Sequence, residues 1–204
     1  MNDNNPDSNQ ALRNKWDLRH AVAEKRPLAA EVLTRNLHLL PAKGLALDLA
    51  CGLGGNALTL AQQGLDVVAW DISPVAIQRL NGYAVETGLN NLSAEVRDVE
   101  TSPPPPNHFD LIIVSYYLER ELIPRLIDAL LPGGLIYYQT FTQVAVTDIG
   151  PRNPLFRLDD NELLQLFSGL KLRYYREEKR LGDTKQGVRD VAMLVAQKSS
   201  KSQS

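Results

Sequence analysis

One segment of the chain constrains its fold more than any other: an apolar run that leads into a glycine-rich turn. The run from about Ala46 to Ala50 indicates a buried strand, and Gly52 and Gly54 follow it at the entry to a helix. A second apolar run ends in Asp71, about 20 residues beyond the first glycine. A strand, a glycine turn, a helix and a strand ending in an acid offer turn amides and a carboxylate to a nucleoside. The sequence therefore predicts a nucleoside site at the carboxyl end of a parallel sheet.

The strand before the turn carries an acid of its own, Asp48. A carboxylate at this point would repel a diphosphate but attract a positively charged ligand. S-adenosylmethionine (SAM), which has a sulfonium and an ammonium group, is such a ligand. The turn therefore favours a methyl donor over a dinucleotide. Asp48 has a second interpretation, as a structural acid that accepts hydrogen bonds from loop amides.

The composition is that of an ordinary globular chain. Of 204 residues, 44% are hydrophobic and 23% are charged, and the formal net charge is −2. This balance gives no global bias towards nucleic acid or an anionic membrane. The single cysteine, the absence of a signal-peptide pattern and the absence of a long apolar run favour a cytoplasmic protein. We expect one domain over residues 15–198, with disordered tails at 1–14 and 199–204.

Strand-like and helix-like runs alternate along this domain, which predicts an α/β sheet. Apolar residues from Leu28 to Leu40 recur at helical spacing, and Ser73-Pro74 has the form of an N-cap followed by the first helical residue. Asp159 and Glu162 have the spacing of a capping box. The predicted strands are Ala46–Ala50, Leu65–Trp70, Ala94–Val99, Phe109–Ser115 and Leu135–Phe141, followed by a hairpin of two runs at about 170–179 and 188–197.

Several motifs together resemble the class I SAM-dependent methyltransferases, and most closely their tellurite-resistance and thiopurine methyltransferase-like group. They are Trp16-Asp-Leu-Arg19, Leu47-Asp-Leu-Ala-Cys-Gly52, Val68-Ala-Trp-Asp-Ile-Ser-Pro74 and Phe109-Asp-Leu-Ile112. The resemblance implies a Rossmann-like three-layer α/β/α sandwich. Its seven-stranded, mostly parallel sheet would have the order 3-2-1-4-5-7-6 with strand 7 antiparallel.

The resemblance also implies a set of cofactor-binding residues. The turn backbone would hold the methionine part of SAM, with Asp48 near its ammonium, and Asp71 would accept hydrogen bonds from both ribose hydroxyls. Ile72 would pack on the adenine, which Asp98 and the Val99 amide would also contact. The full set is Trp16, Arg19, Asp48, Ala50, Cys51, Gly52, Gly54, Asn56, Asp71, Ile72, Asp98, Val99 and Ser115.

Some of these positions have structural alternatives. The family commonly has glycine where this chain has Ala50, and the added methyl would tighten the turn without removing its amides. Asp98 could be only a turn acid. Trp16 could be a hydrophobic staple of the first helix, and Cys51 is better explained as a small buried residue than as a nucleophile.

The acceptor side is less defined by sequence. The resemblance places Ser115 and Tyr116, at the end of the fourth strand, under the methyl group, where they would position the reactants. Methyl transfer from a sulfonium depends chiefly on alignment, so no acid/base pair is required. Candidate acceptor-binding residues are Tyr117, Arg120, Phe141, Arg152 and Arg157, whose arginines would attract an anion, although exposed arginines are usually solvated surface. A soft nucleophile such as a thiol or a selenium or tellurium oxyanion would suit this site.

We therefore predict a SAM-dependent methyltransferase that acts on a small molecule and releases S-adenosylhomocysteine. One rival is an NAD-dependent oxidoreductase, because Gly52-x-Gly54-x-x-Ala57 formally matches a dinucleotide fingerprint. The other is a SAM-binding protein without catalysis. We expect no metal, nucleic-acid or membrane partner, since His20, His38 and His108 are scattered, and a monomer or a homodimer.

Overall fold

Seven strands form one sheet in the order β3-β2-β1-β4-β5-β7-β6. The computed structural model describes residues 6–200, with side chains from residue 10 onward. Among the described strands, β7 runs antiparallel to both of its neighbours, β5 and β6, and the other neighbouring pairs are parallel. The strands are β1 Leu45–Leu49, β2 Asp66–Asp71, β3 Leu92–Val96, β4 Phe109–Ser115, β5 Leu130–Phe141, β6 Lys171–Glu177 and β7 Val191–Gln197. This arrangement confirms the predicted fold class, sheet order and terminal hairpin.

Helices cover both faces of the sheet. They are α1 Pro6–Ala21, α2 Glu31–Thr34, α3 Gly55–Gln62, α4 Pro74–Glu86, α5 Ile123–Ala129 and α6 Glu162–Leu166, with 3-10 turns at Leu37–Leu39, Arg120–Leu122 and Pro154–Phe156. Alternate residues of the central strand β4 enter two separate apolar clusters. Leu111 and Ile113 join the cluster under α2, α3 and α4, whereas Ile112 and Val114 join the cluster under α5 and α6. A strand buried on both faces explains why β4 is the most continuous apolar run of the sequence.

The segment before β1 differs from the predicted long helix. Only one turn of α-helix, α2, forms within the apolar run. Side chains from the sheet region take the amides that would start a longer helix: Ala30 N donates to Asn56 Oδ1 and Val32 N donates to Gln139 Oε1, each at 2.8 Å. Leu28 is 93% exposed and lies outside the core. Tertiary hydrogen bonds thus replaced the expected helix.

The N-terminal segment also differs from the prediction. Helix α1 begins at Pro6, so residues 6–14 are helical rather than disordered. The end of α1 docks on the start of α4, where Ser73 Oγ and Val75 N donate to Asp17 Oδ1, and Arg79 donates to the carbonyl of His20. Residues 1–5 and 201–204 of the predicted tails lie outside the described residues. Within residues 6–200 no helix has the length and apolarity needed to cross a membrane.

Candidate active site

The glycine turn after β1 is a tightly constrained piece of backbone. Ala50, Gly52 and Gly54 all have positive φ, at 54°, 52° and 80°. A side chain on Gly54 would meet the core, because a Cβ built there lies 2.2 Å from Leu80 Cδ1. Glycine is therefore required at 54 by both conformation and space. Ala50 adopts the same left-handed region with a Cβ, at a cost of about 1 kcal/mol.

Asp71, at the end of β2, joins the turn directly. Its Oδ2 accepts a hydrogen bond from Gly52 N at 2.8 Å, and its Oδ1 accepts from Ser73 N at 2.9 Å. The carboxylate is 7% exposed, and burial raises its pKa. A carboxylate has about four acceptor positions, so two remain for a diol. The turn and the acid of β2 are thus joined by a direct hydrogen bond.

Asp48 lies behind the turn and is fully buried. Its Oδ2 accepts from Ala57 N at 2.9 Å, and Asn56 Nδ2 lies 3.5 Å from its Oδ1. The pKa of Asp48 is raised to about 7. Burial is the main cause, the charge of Asp71 adds to it, and the two hydrogen bonds act in the opposite direction. Asp48 therefore accepts hydrogen bonds from groups that follow the turn, as the structural interpretation of this acid expects.

The two buried carboxylates test whether the site fits SAM. The charge of Asp71 opposes ionisation of Asp48, and the charges of both acids oppose ionisation of Cys51, so the two carboxylates stand close together. A cation bound at the turn would offset this repulsion, whereas a diphosphate would add to it. The residues present therefore suit a cationic nucleoside. Cys51 is 9% exposed and burial raises its pKa well above the usual value, so it is a packed thiol rather than a nucleophile.

Asn56 and Ser115 connect the turn to the end of β4. Asn56 Nδ2 donates to Ser115 Oγ at 2.9 Å, while its Oδ1 accepts from Ala30 N. The amide of one side chain thus fixes Ser115 relative to α3 and to the segment before α2. The predicted residues Asp48, Ala50, Cys51, Gly52, Gly54, Asn56, Asp71 and Ser115 all come together at the carboxyl ends of β1, β2 and β4.

Helix α1 covers this region, and it contributes residues that the sequence analysis missed. The His20 ring lies 3.3 Å from the position of a Cβ on Gly52, and it stacks on Trp16 at a centroid distance of 5.8 Å. Burial lowers the pKa of His20, against the charge of Asp71, so the ring is neutral at pH 7. The Arg19 guanidinium lies over Trp16 at 5.3 Å. The signal that could have identified His20 is its position directly after the motif that ends at Arg19. The wide spacing of the three histidines argued only against a metal site.

The third group of cofactor candidates lies beyond β3, which ends at Val96 rather than at Val99. Asp98 Oδ1 accepts from Glu100 N at 3.1 Å, which is the turn-acid arrangement that the sequence left open. Val99 is buried against the apolar cluster of α5, and Ile72 is half-buried. Tyr117 donates to Glu100 at 3.1 Å, so its side chain lies beside this turn. Its contact with the acceptor stays a prediction.

Tyr116 and Phe141 lie at the ends of β4 and β5, on the side where the sequence predicts the acceptor. Tyr116 has a φ of 60°, a strained value for a bulky residue, and is 50% exposed. Gln139 Nε2 donates to its hydroxyl at 2.8 Å, and its ring lies 5.0 Å from that of Phe141. Burial raises the pKa of Tyr116, so the hydroxyl keeps its proton and is a hydrogen-bond donor. Two non-glycine residues with positive φ, Ala50 and Tyr116, thus end adjacent strands at this site.

Two of the predicted acceptor arginines have structural partners instead. Arg120 donates to both carboxylate oxygens of Glu162 and to the carbonyls of Leu155 and Arg157. Arg157 donates to three carbonyls of the loop after β5, those of Thr142, Ile149 and Pro151. Guanidinium groups engaged in this way hold a loop and leave few donors for a ligand, which argues against the acceptor-binding role predicted for both. Arg152 is exposed and lies on a cleft described below.

Comparison with known proteins agrees with this geometry. Residues 46–134 match the family model described as a methyltransferase domain. This region is therefore similar to methyltransferase domains. The match spans β1 to the first part of β5, and it supports SAM as the cofactor. The match stops at Gly134, so the loop that carries Arg152 and Arg157 lies outside it.

Two curated relatives match the same type of domain. A 2-heptyl-1-hydroxyquinolin-4(1H)-one methyltransferase from Mycobacteroides abscessus is 40% identical over 72 residues, or 35% of this chain and 32% of the relative. Aklanonic acid methyltransferase DauC from a Streptomyces species is 39% identical over 74 residues, or 34% of this chain and 33% of the relative. The chain therefore spans about a third of the length of these relatives.

A solved structure shows the same fold. TehB from Haemophilus influenzae superposes with a TM-score of 0.67 and 24% identity, over 90% of this chain and 67% of that chain. Among the described residues, no group of three histidine, cysteine or acidic side chains is placed to hold a metal ion.

Proposed function

We propose that the protein transfers the methyl group of SAM to a small-molecule acceptor. The observation that carries this proposal is the 2.8 Å hydrogen bond from Gly52 N to Asp71 Oδ2. It joins the glycine turn and the acid of β2 in one site, beside the buried carboxyl of Asp48. A site with two buried acids and strained turn backbone is suited to a cationic nucleoside.

In this proposal the residues of the turn bind and orient the donor. SAM, when bound, supplies a methyl group on a positively charged sulfur. Asp71 accepts from the ribose hydroxyls with its two remaining acceptor positions, and Asp48 compensates the ammonium charge. Trp16 and His20 on α1 close the site from solvent. Exclusion of water and alignment of the reacting atoms supply most of the rate enhancement that such a transfer needs, up to ~7–11 kcal/mol.

The groups at the end of β4 do not include a strong base. Ser115 Oγ accepts from Asn56, and burial raises the pKa of Tyr116 and keeps its hydroxyl protonated. The charge of Glu31, at the start of α2, also raises the pKa of Tyr116, but Glu31 is itself paired with Arg35 at 2.9 Å. An acceptor that is already ionised at neutral pH suits this site, since a proton need not be taken by the protein.

We therefore propose a soft or acidic nucleophile, such as a thiol or a selenium or tellurium oxyanion. The nucleophile loses its proton to solvent, its lone pair forms the bond to the methyl carbon, and the electron pair of the breaking bond remains on sulfur as a neutral thioether. Tyr116 donates a hydrogen bond that positions the nucleophile. The curated relatives are named as methyltransferases of 2-heptyl-1-hydroxyquinolin-4(1H)-one and of aklanonic acid, which supports a small-molecule acceptor. Cytoplasmic residence and a monomer or homodimer stay predictions.

The NAD-dependent oxidoreductase is the enzyme rival. Two buried acids beside the turn oppose a diphosphate, which argues against it. Calorimetric titration of the protein with SAM, S-adenosylhomocysteine and NAD separates the two. We expect binding of the first two ligands and none of NAD; binding of NAD alone would contradict the proposal.

Catalysis is tested in a second experiment, since a SAM-binding protein without activity is the remaining rival. The protein is incubated with radiolabelled SAM and with tellurite, selenite, thiols and small acids. We expect label transfer to at least one of them. Tight SAM binding with no transfer to any compound would favour the silent binding protein.

A further inference from the structure

A cleft of about 670 Å³ lies beside the acceptor side of the candidate site. Its volume is within the range of sites that take drug-sized organic ligands. The loop after β5 forms most of its wall and Arg180 closes it. It is lined by Gln143, Val144, Ala145, Val146, Thr147, Asp148, Pro151, Arg152, Arg157 and Arg180.

The charge of this cleft is positive. Arg152, Arg157 and Arg180 line it, and Asp148 is its only acid. Asp190 lies beneath the loop, but its carboxylate accepts from Val146 N, Thr147 N and Thr147 Oγ1. These hydrogen bonds and the charge of Arg157 lower the pKa of Asp190. Asp190 thus stays ionised, and the loop hydrogen bonds and the positive charge of Arg157 compensate its negative charge.

Two of the three arginines are available to a ligand. Arg180 uses its Nε to donate to the carbonyl of Ala145 at 2.8 Å, which aims the rest of its guanidinium along the wall. Within residues 10–200 the Arg152 side chain makes no hydrogen bond or ion pair. Arginine side chains with free N–H groups bind carboxylates in a bidentate manner.

An aromatic layer connects the cleft to the point of methyl transfer. The Phe141 ring lies 5.0 Å from the ring of Tyr116, and the Arg157 guanidinium lies 5.7 Å from the Phe141 centroid. Gly150 of the cleft loop lies against the same ring, since a Cβ there would be 2.7 Å from Phe141. Apolar side chains are exposed along this loop: Val144 43%, Ile149 53%, Leu155 70% and Phe156 52%. A ligand that passes from Tyr116 to the arginines would cross an apolar surface.

We propose that this cleft binds the far end of the methyl acceptor, and that the acceptor is an amphipathic organic acid. Its nucleophilic atom lies at Tyr116, its apolar body lies along Phe141 and the loop, and its carboxylate is held by Arg152 and Arg180. This inference rests on the proposed methyl transfer and names the substrate class. An inorganic oxyanion is too small to contact Tyr116 and Arg152 together, so it would leave the cleft unused.

The test compares acceptors that differ only in charge. The probes are 4-mercaptobenzoate and 3-(4-mercaptophenyl)propanoate, each beside its methyl ester, with selenite and tellurite as inorganic probes. Formation of S-adenosylhomocysteine gives kcat/KM for the wild type, for Arg152→Ala and Arg152→Glu, and for Arg125→Ala. Arg125 is an exposed arginine of α5 outside the cleft and serves as the matched control.

We expect one of the two acids to be preferred over its ester by at least tenfold. Arg152→Ala should remove most of this preference through KM, Arg152→Glu should reverse it, and Arg125→Ala should leave it unchanged. The esters should react equally with all four proteins. Equal rates for acid and ester, or a preference that survives Arg152→Glu, would overturn the inference.

The failure of this inference and that of the proposed function are distinguishable. Methylation of selenite or tellurite alone would overturn the organic acid and leave methyl transfer intact. If none of the probes reacts, calorimetry with the S-methylated acids in the presence of S-adenosylhomocysteine decides. Binding that weakens at least tenfold in Arg152→Glu supports the cleft, and no binding at millimolar concentration rejects it. Absence of SAM binding would reject the proposed function itself.

Discussion

The cofactor half and the acceptor half of the candidate site are built from different contacts. The cofactor half, comprising the turn 50–55 with Asp48 and Asp71, is fixed by backbone amides that donate to buried carboxylates. The acceptor half, comprising Tyr116, Phe141 and the loop 142–158, is held by arginines that donate to loop carbonyls. Backbone conformation defines the first half within one short segment. Long side chains assemble the second from distant segments, so its shape depends on more of the chain.

The largest expected effect is on the backbone of the cofactor half. Gly54→Ala adds a Cβ at 2.2 Å from Leu80 Cδ1 at a residue with positive φ. Overpacking and left-handed strain should lower the free energy of unfolding by about 2–4 kcal/mol. Denaturant unfolding measures it. Gly82→Ala in α4 is the matched control: it is exposed and meets nothing within 4 Å, so it should gain about 0.5–1 kcal/mol. Equal effects of the two would show that the turn tolerates a side chain.

The next effect is on the affinity for the donor. Asp71→Ala removes the acceptor of Gly52 N and Ser73 N as well as the proposed ribose contact. We expect SAM to bind at least tenfold more weakly, because a buried charge-assisted hydrogen bond is worth ~1.5–3 kcal/mol. Calorimetry gives the dissociation constant. Asp66→Ala, at the exposed start of the same strand, should bind as the wild type does. An unchanged affinity of Asp71→Ala would refute the ribose assignment.

The same division separates what the sequence could predict from what it could not. Ser73 caps α4 through Ala76 N, with Pro74 at the first helical residue, as predicted, because capping involves neighbours in sequence. The long helix before β1 was wrong, since Asn56 and Gln139 take its amides from far along the chain. Apolar periodicity contains no information on such partners.

The acceptor residues show the same limit. Arg120 is of a residue type that binds anions. The sequence does not show that the fold brings Glu162, 42 residues away, to its guanidinium. Arg152, whose side chain has no partner among the described residues, cannot be told apart from Arg120 by residue type. Tyr117 likewise turns towards Glu100 rather than towards its neighbour Tyr116. A sequence motif predicts the strand after which a residue lies. The direction of the side chain depends on tertiary contacts, which the motif does not contain.

Arg120→Ala tests whether the acceptor half is an independent unit. The change leaves Glu162, whose side chain is 14% exposed, without its cation and releases two loop carbonyls. Since Arg120 is itself 36% exposed, solvent screens the pair, and we expect a loss of about 1–2 kcal/mol in unfolding free energy. The dissociation constant for SAM should not change. Arg125→Ala is the control for an exposed arginine. If Arg120→Ala lowered the free energy of SAM binding as much as the free energy of unfolding, the cofactor half and the acceptor half would be coupled.

Asp48 gives the cofactor half a pH dependence. An unfolded carboxyl ionises near its ordinary value, whereas Asp48 keeps its proton up to about pH 7. Between these values the folded state binds more protons, so its stability falls as the pH rises. If ionised Asp48 compensates the ammonium of SAM, the affinity should rise by up to about tenfold from pH 6 to pH 8.

Calorimetry at several pH values, with the wild type and Asp48→Asn, isolates this contribution. His20 and Asp71 also titrate near the turn, but they are present in both proteins. The ratio of the two dissociation constants should therefore change with pH. A constant ratio would assign Asp48 to the structure of the turn alone.

The smallest effect concerns Ala50, a residue of the turn that is not glycine and has positive φ. Ala50 has a φ of 54°, which glycine adopts without strain. Ala50→Gly should stabilise the protein by about 0.5–1 kcal/mol, because relief of left-handed strain exceeds the added entropy of the unfolded chain. Ala84→Gly, in the interior of α4, should have the opposite sign. Thermal unfolding of both variants measures the difference. If Ala50→Gly were destabilised, the packing contacts of the Ala50 methyl group would be worth more than the left-handed strain. Alanine at this position would then stabilise the turn.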